Sequence, residues 1–443
     1  MIRGNRIWLD RISTSYGTQP LVNTHNTSQA IKGIMNILQV GTGAIKIPPE
    51  KYGGTEFLVY RVSKHIAGEG HNITIADIKE SKADPDIEYI DGIKFVRLHT
   101  RKSGITFHNL MTSFISTRIN TVFFALRVMS YIRKSGFDVI QIYGNLIGLI
   151  LIFLNRKLRG KIVYYCNNPA WFMTSPGRLQ RLALTLDHGL IRQVNKVIVE
   201  TDLLKEKLLA RGKVAQNKII VVPPGVETSE FKPGINPREA IEKYGLEGRT
   251  VILFVGRIVP YKGVEYLVKA ADLVVNDFGY KDALFLIVGP LAEHELDKVE
   301  HADYISRIFS FIKNRHLESH VKFTGVLPTV ELPGMYSACD IFVLPSLAET
   351  FGQVISQAMS TQKPVIGTRI PGIVAQIKDG WNGYLVEPAD EHQLAEKIKH
   401  LIDNPREREK MGINSRQFAE DNLDWSRTSQ MILQLYQSTG DSG

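Results

Sequence analysis

Two cations, Arg257 and Lys262, and one acid, Glu349, stand just beyond apolar runs that read as buried strands. The run Val251 to Val255 ends in Gly256-Arg257, and Lys262-Gly263 opens the helical pattern that follows. In open α/β sheets, ligands collect at the carboxyl ends of the strands. Two cations and a helix N-terminus at one such edge suit a phosphate-rich anion. A second apolar strand, Ile341 to Ser346, leads into AETFGQVISQAMSTQKPVIGT from Ala348 to Thr368. Glu349 there would accept hydrogen bonds from hydroxyls, and Gly352 would let the backbone come close to a ligand. A diphosphate on one side and hydroxyls on the other describe a sugar nucleotide.

The elements that must position these groups come from an ordinary globular composition. The chain has 443 residues, 44% of them hydrophobic and 22% charged. That length exceeds what one core supports, so two domains are expected. The two cysteines, Cys166 and Cys339, lie far apart in apolar runs, which argues against a disulfide framework and for a reducing cytoplasm. The longest apolar run, Val139 to Leu154, is broken by Gln141 and Gly144-Asn145. It falls short of the roughly 20 residues that span a bilayer and reads as strand, turn and helix start. Residues 1–34, rich in Ser, Thr, Asn and Arg, carry no secretory signal and are expected to be a disordered extension, with Met35 as the functional start of the fold.

Strands are predicted at Asn36 to Val40, Ile93 to Leu98, Val139 to Ile142, Lys161 to Tyr165, Lys196 to Glu200 and Lys218 to Val222, with another in HNITIADI. A Pro- and Gly-rich segment from Pro223 closes this half. The second half alternates again, with strands at Val251 to Val255, Ala283 to Val288, Val321 to Thr324, Ile341 to Leu344 and Pro364 to Gly367. Alternation of short apolar strands with helices predicts parallel sheets. Gly41-Thr42-Gly43 is followed by Lys46 where a dinucleotide fingerprint needs glycine, so NAD is a poor reading.

Charge is uneven. The whole chain carries a formal +9, yet Arg101 to Val199 alone holds 14 Lys and Arg against Asp138 and Asp187. With the apolar, helix-like stretch Asn109 to Lys134, this suggests an anionic membrane surface or a phosphorylated acceptor as partner. No aromatic-basic interleaving points to nucleic acid. Asp84-Pro85-Asp86 has the form of a metal-binding DxD, but it sits in a polar segment without a preceding apolar strand and reads as a loop.

With GR-x4-KG at Gly256 to Gly263 and ETFG at Glu349 to Gly352 in this order, the chain resembles the retaining glycosyltransferases of family 4 (glycosyl transferases group 1). The resemblance runs from Met35 to Tyr436. It implies an α/β fold of two facing Rossmann-like domains with parallel sheets, the GT-B architecture, and a C-terminal helix crossing back to the first domain. The expected boundaries are 35–228 for the acceptor domain, 229–424 for the nucleotide-sugar domain and 425–443 for the crossing helix and tail.

The implied reaction moves a sugar from a nucleotide diphosphate such as a UDP- or GDP-sugar to an acceptor hydroxyl. It retains configuration and needs no metal or other cofactor. Arg257 and Lys262 would hold the leaving diphosphate, Glu349 the sugar hydroxyls, and the backbone at Thr350, Phe351, Gly352 and Gln353 would approach both. Gly53 and Gly54 resemble the glycine loop that faces the diphosphate, and Gly325 and Val326 the backbone along the nucleobase. Glu56 would orient the acceptor or simply suit the first helical turn. Two positions depart from the pattern. Gln357 stands where a second Glu grips the ribose, and Asn167 where a His contacts the sugar.

The acceptor implied is a glycan or lipid-linked molecule, which places the protein in the cytoplasm and on the inner face of the membrane. Two other readings stay open: a catalytically weak relative that binds a nucleotide sugar, and a hydrolase or epimerase of the same fold.

Overall fold

The computed structural model describes residues 33–49, 54–81, 83–99, 110–167, 171, 178–211, 214–291 and 295–440; for 110–117, 178–179, 295–301 and 440 only the backbone is described. The expected disordered extension therefore lies outside the described residues, apart from the last two positions.

The first sheet holds β1 (Asn36–Val40), β2 (Asn72–Lys79), β3 (Ile87–Ile90), β4 (Ile93–His99), β5 (Val139–Ile142), β6 (Ile162–Cys166), β7 (Lys196–Val199) and β8 (Ile219–Val221). Their order is β3-β4-β2-β1-β5-β6-β7-β8. All pairs are parallel except β3 with β4. That antiparallel edge departs from the purely parallel sheet predicted. Its cause is local: Asp91 and Gly92 both take positive φ, 51° and 75°, and close a two-residue hairpin.

The second sheet holds β9 (Thr250–Val255), β10 (Ala283–Val288), β11 (Val321–Gly325), β12 (Ile341–Leu344), β13 (Val365–Thr368) and β14 (Gly383–Val386), in the order β11-β10-β9-β12-β13-β14, all parallel. Both sheets are thus Rossmann-like. Each strand order reverses once, between β1 and β5 in the first sheet and between β9 and β12 in the second. Chain connections leave in opposite directions at such a point and open a crevice at the carboxyl ends of the strands.

Alternate residues of β1 feed opposite faces of the first sheet. Leu38 and Val40 join the core formed with the helices Leu110–Ile132 and Asn145–Leu154, whereas Ile37 joins the core under the helix Gly54–Gly68. The C-terminal helix, Trp425–Gly440, packs on that second face and brings in Trp425, Ile432, Leu433 and Tyr436. Its anchor is polar as well. Tyr436 Oη donates to Gln141 Oε1 at 2.5 Å and accepts from Gln39 Nε2 at 3.0 Å, all three residues being fully buried. The C-terminal helix therefore crosses back onto the first domain.

The run Val139 to Leu154 is a strand, a turn and the ten-residue helix Asn145–Leu154. Among the described residues no helix is long and apolar enough to cross a membrane. Both cysteines are buried, and neither forms a disulfide.

Candidate active site

The crevice of the second sheet is built by two loops that touch. After β9 the chain runs through Gly256 and Arg257 into a single turn, Pro260–Lys262, and then the helix Val264–Asp272. Gly263 joins turn and helix with φ of 71°. A Cβ there would lie 2.0 Å from the carbonyl oxygen of Pro345, just past β12, so only glycine permits this approach. Leu347 N donates to the Tyr261 carbonyl at 2.7 Å and fastens the two loops.

This contact brings cation and acid together. Lys262 Nζ pairs with Glu349 Oε2, both side chains being largely buried. Arg257 is exposed at the rim, and its guanidinium donates to the Tyr261 hydroxyl. The Glu349 loop is held from behind. Gln376 Nε2 donates to the Phe351 carbonyl at 2.5 Å, and Ser356 Oγ donates to Gln376 Oε1 at 2.7 Å. Gly352, at φ 84°, caps the helix Gln353–Ser360. Thr350 is buried and does not cap that helix.

The first domain supplies the opposite wall. A cleft of about 590 Å³ is lined from this side by Gly54, Thr55, Glu56, Asn167 and Glu200, and from the other by Arg257, Lys262, Val326, Glu349 to Gln353 and Gln357. That volume suits a molecule of nucleotide size. Asn167 Nδ2 donates to Thr55 Oγ1 at 2.9 Å, tying the end of β6 to the first turn of Gly54–Gly68. Gln357 accepts from the buried Tyr336 hydroxyl at 2.8 Å, which occupies one of the two lone pairs on its carbonyl.

Of the expected residues that are described, Gly325 does not line the cleft. Gly53 lies outside the described residues. Gly325 ends β11 and accepts a hydrogen bond from Gly289 N at 3.0 Å, behind the lining residue Val326. Asp84 and Asp86 are committed elsewhere, to Lys46 at 3.2 Å and Lys79 at 2.8 Å.

The carboxyls of the first-domain wall are unusual. Burial raises Glu56 above the ordinary carboxylate range, although the Thr42 hydroxyl, donating at 2.5 Å, and its own backbone amide pull it down. Burial pushes Glu200 further, to about 7. The Thr350 and Tyr165 hydroxyls temper that rise and the nearby Glu349 charge adds to it. Farther out, Arg61 reaches Glu227 at 3.2 Å and Glu230 at 2.5 Å. Glu227 is held low, first by its hydrogen bond with His65. Glu200 was not singled out from the sequence. The only signal for it there is its place at a strand end, level with Asn167.

Chemically, the cleft joins two cations and a helix N-terminus to a hydroxyl-accepting carboxylate. That arrangement holds an anion and a polyol side by side.

Known proteins share this plan. A family model described as Glycosyltransferase Family 4 matches residues 52–230, and one described as Glycosyl transferases group 1 matches residues 237–418. Spore coat protein SA of Bacillus subtilis is 23% identical over 434 residues, covering 91% of this chain and 99% of that protein. Alpha-D-kanosaminyltransferase of Streptomyces kanamyceticus is 27% identical over 254 residues, 56% of this chain, and the match spans 62% of that protein's length. The solved structure of Anabaena HepE in complex with UDP and glucose superposes with a TM-score of 0.71 at 19% identity, covering 91% of this chain and all of that one.

Proposed function

Because the chain belongs to the family 4 glycosyltransferases and has the GT-B fold, we propose that it transfers a sugar from a nucleoside diphosphate to an acceptor hydroxyl with retention of configuration. One observation carries this reading. Arg257, Lys262 and Glu349 meet at the point where the strand order reverses, facing Gly54 and Asn167 across the cleft.

As the glycosidic bond breaks, its electron pair passes to the diphosphate. Arg257 and Lys262 stabilise that charge, so the reading calls on no metal or other cofactor. Removing one pre-organised group of this kind costs roughly 3 kcal/mol. Glu349 and the backbone from Thr350 to Gln353 hold the sugar and the near phosphate. Val326 borders the base and Gln357 the ribose, while Gly54 faces the diphosphate from the first domain. The acceptor oxygen attacks on the face from which the diphosphate leaves, and its proton passes to a phosphate oxygen. Asn167, hydrogen-bonded to Thr55, orients the sugar and transfers no proton. HepE, bound to UDP and glucose, supports a nucleotide-sugar donor by its likeness of fold.

The acceptor we propose is a glycan or lipid-linked molecule at the cytoplasmic face of a membrane. The helix Leu110–Ile132 supports this, since Ile119, Val122, Phe123 and Leu126 are exposed on it within the basic stretch.

A thermal-shift panel of UDP, GDP, ADP and their glucose or mannose conjugates tests the donor site, repeated on Arg257→Ala. Ligand at 100 times its Kd adds about 2.7 kcal/mol. A shift with one base that Arg257→Ala loses supports the reading, and no shift with any base refutes it. Turnover of the donor without an acceptor would indicate a hydrolase or epimerase instead.

A further inference from the structure

Glu200 is a buried carboxyl with an unfinished hydrogen-bond shell. It follows β7, and since Cys166 pairs with Val199 in the register of β6 and β7, it stands level with Asn167 on the next strand. The residue is 5% exposed and lines the cleft. Among the described residues its Oε2 has no partner within 3.5 Å; the Tyr165 and Thr350 hydroxyls stand close enough to favour its ionised form, but the buried Tyr165 hydroxyl also lacks a partner within that distance. Across the cleft it meets Thr350 and Glu349, which begin the loop assigned above to the donor sugar.

A buried acceptor left without a donor is costly, and a ligand hydroxyl that reaches it removes that cost. Glu349 is already paired with Lys262. Glu200 therefore adds a second acceptor, on the facing wall, to the one oxygen Glu349 keeps beyond its pair with Lys262. A phosphate would be repelled by it, so its complement is a hydroxyl-bearing part of the ligand.

We propose that Glu200 is a specificity-determining residue that accepts a hydrogen bond from a hydroxyl of the transferred sugar, holding it from the first-domain side while Glu349 holds it from the second. This rests on the donor-site reading above. No bond is made or broken by Glu200: it positions the sugar, and it makes sugar recognition depend on the first domain. The raised pKa fits this role, because a hydroxyl donated to Oε2 favours the ionised form and binding would then release a proton.

The test compares UDP with UDP-glucose, and each other nucleoside diphosphate with its hexose conjugate, by calorimetry on wild type, Glu200→Gln and Glu200→Ala. The nucleoside diphosphate alone should bind all three proteins equally, which also shows that the variants fold. The sugar conjugate should bind the variants about 10- to 100-fold more weakly, the range for a hydrogen bond to a charged group. Glu200→Gln, which keeps one neutral acceptor, should lose less than Glu200→Ala. Proton uptake or release on binding the conjugate, measured in two buffers, should change in both variants. Wild type binding its conjugate with the variants unchanged in affinity and proton count overturns the assignment of Glu200 alone. If both variants lose the bare diphosphate as strongly as the conjugate, Glu200 shapes the cleft and the assignment fails. Wild type binding nothing in the panel removes the donor site, and the role of Glu200 with it.

Discussion

Under the proposed function Lys262 and Glu349 serve two ends at once, and replacing them separately and together tells those ends apart. Their side chains are 15% and 13% exposed, so neither charge is well solvated. At an effective dielectric of about 20, unit charges roughly 3 Å apart attract by about 5 kcal/mol, and desolvation offsets much of it. Losing one partner of a fully buried pair costs about 3–5 kcal/mol. This pair opens to the cleft on one side, so the cost falls at or just below that range, about 2–3 kcal/mol for Lys262→Met. The loss also leaves Glu349 uncompensated near Glu200. For a domain of this size the melting temperature should fall by roughly 5–10 °C.

Glu349→Gln in the same background removes the stranded charge. The double variant should therefore be more stable than Lys262→Met, with a coupling of at least about 1 kcal/mol in the double-mutant cycle. Nucleoside diphosphate affinity should behave differently. It should drop about 100-fold in Lys262→Met and stay low in the double variant, because the cation that meets the phosphate is still missing. Urea melts give the first quantity and calorimetry the second. Recovery of both stability and diphosphate affinity in the double variant would refute the argument, since Lys262 would then be no more than a counter-ion to Glu349. A Lys262→Met protein as stable as wild type would show that the pair contributes nothing.

Three further outcomes are expected. Gly263→Ala drives a methyl against the Pro345 carbonyl in a left-handed conformation, so it should destabilise by about 2 kcal/mol or more and weaken diphosphate binding with it; a wild-type melting curve would show that the loops do not meet as described. Gln357→Glu should tighten nucleoside diphosphate binding about fivefold, by turning a neutral ribose contact into a charge-assisted one, and calorimetry that finds weaker binding would count against Gln357 as a ribose contact. Burial raises Glu200 to about 7 from its ordinary value of 4.5, so its neutral form is what folding favours: that stability is complete below pH 4.5 and is lost as pH rises through 7. Ligand-free Glu200→Gln should therefore gain on wild type between pH 5 and pH 8, by up to about 3 kcal/mol. Asp77 is also raised to about 7 by burial, despite its ion pair with Arg97, but it titrates in both proteins and cancels from the difference. A gap in melting temperature that does not change with pH would contradict the burial of Glu200.

The second domain was readable because its chemistry is local. Arg257 and Glu349 each follow an apolar strand within a few residues, and strand order alone then brings them to one crevice. The pairing of Lys262 with Glu349 was not readable, since it depends on Gly263 meeting Pro345 across the switch point. The hairpin of β3 and β4 had a readable signal, Asp91-Gly92 between alternating residues, which the polar character of Ser81 to Gly92 obscured. Strand β14 is four residues long at the sheet edge, too short for its alternation to be distinctive.

Glu200 shows why a site residue escapes when its environment is made by the other domain. From sequence it is an acid between a strand and a helix whose cap is Thr201, where a solvated charge is the ordinary outcome. Thr350 and Glu349, about 150 positions on in the chain, are part of its surroundings, and no periodicity of the first half encodes that. The same non-local packing sets Asn167 against Thr55 and places the carboxyl one strand over. Asn167 therefore cannot be weighed alone against the histidine it replaces. If that residue's task is to grip a sugar hydroxyl from the first domain, Asn167 and Glu200 divide it between two adjacent strands. The amide can donate and the carboxylate accepts, so the departure at Asn167 need not mark a loss of function.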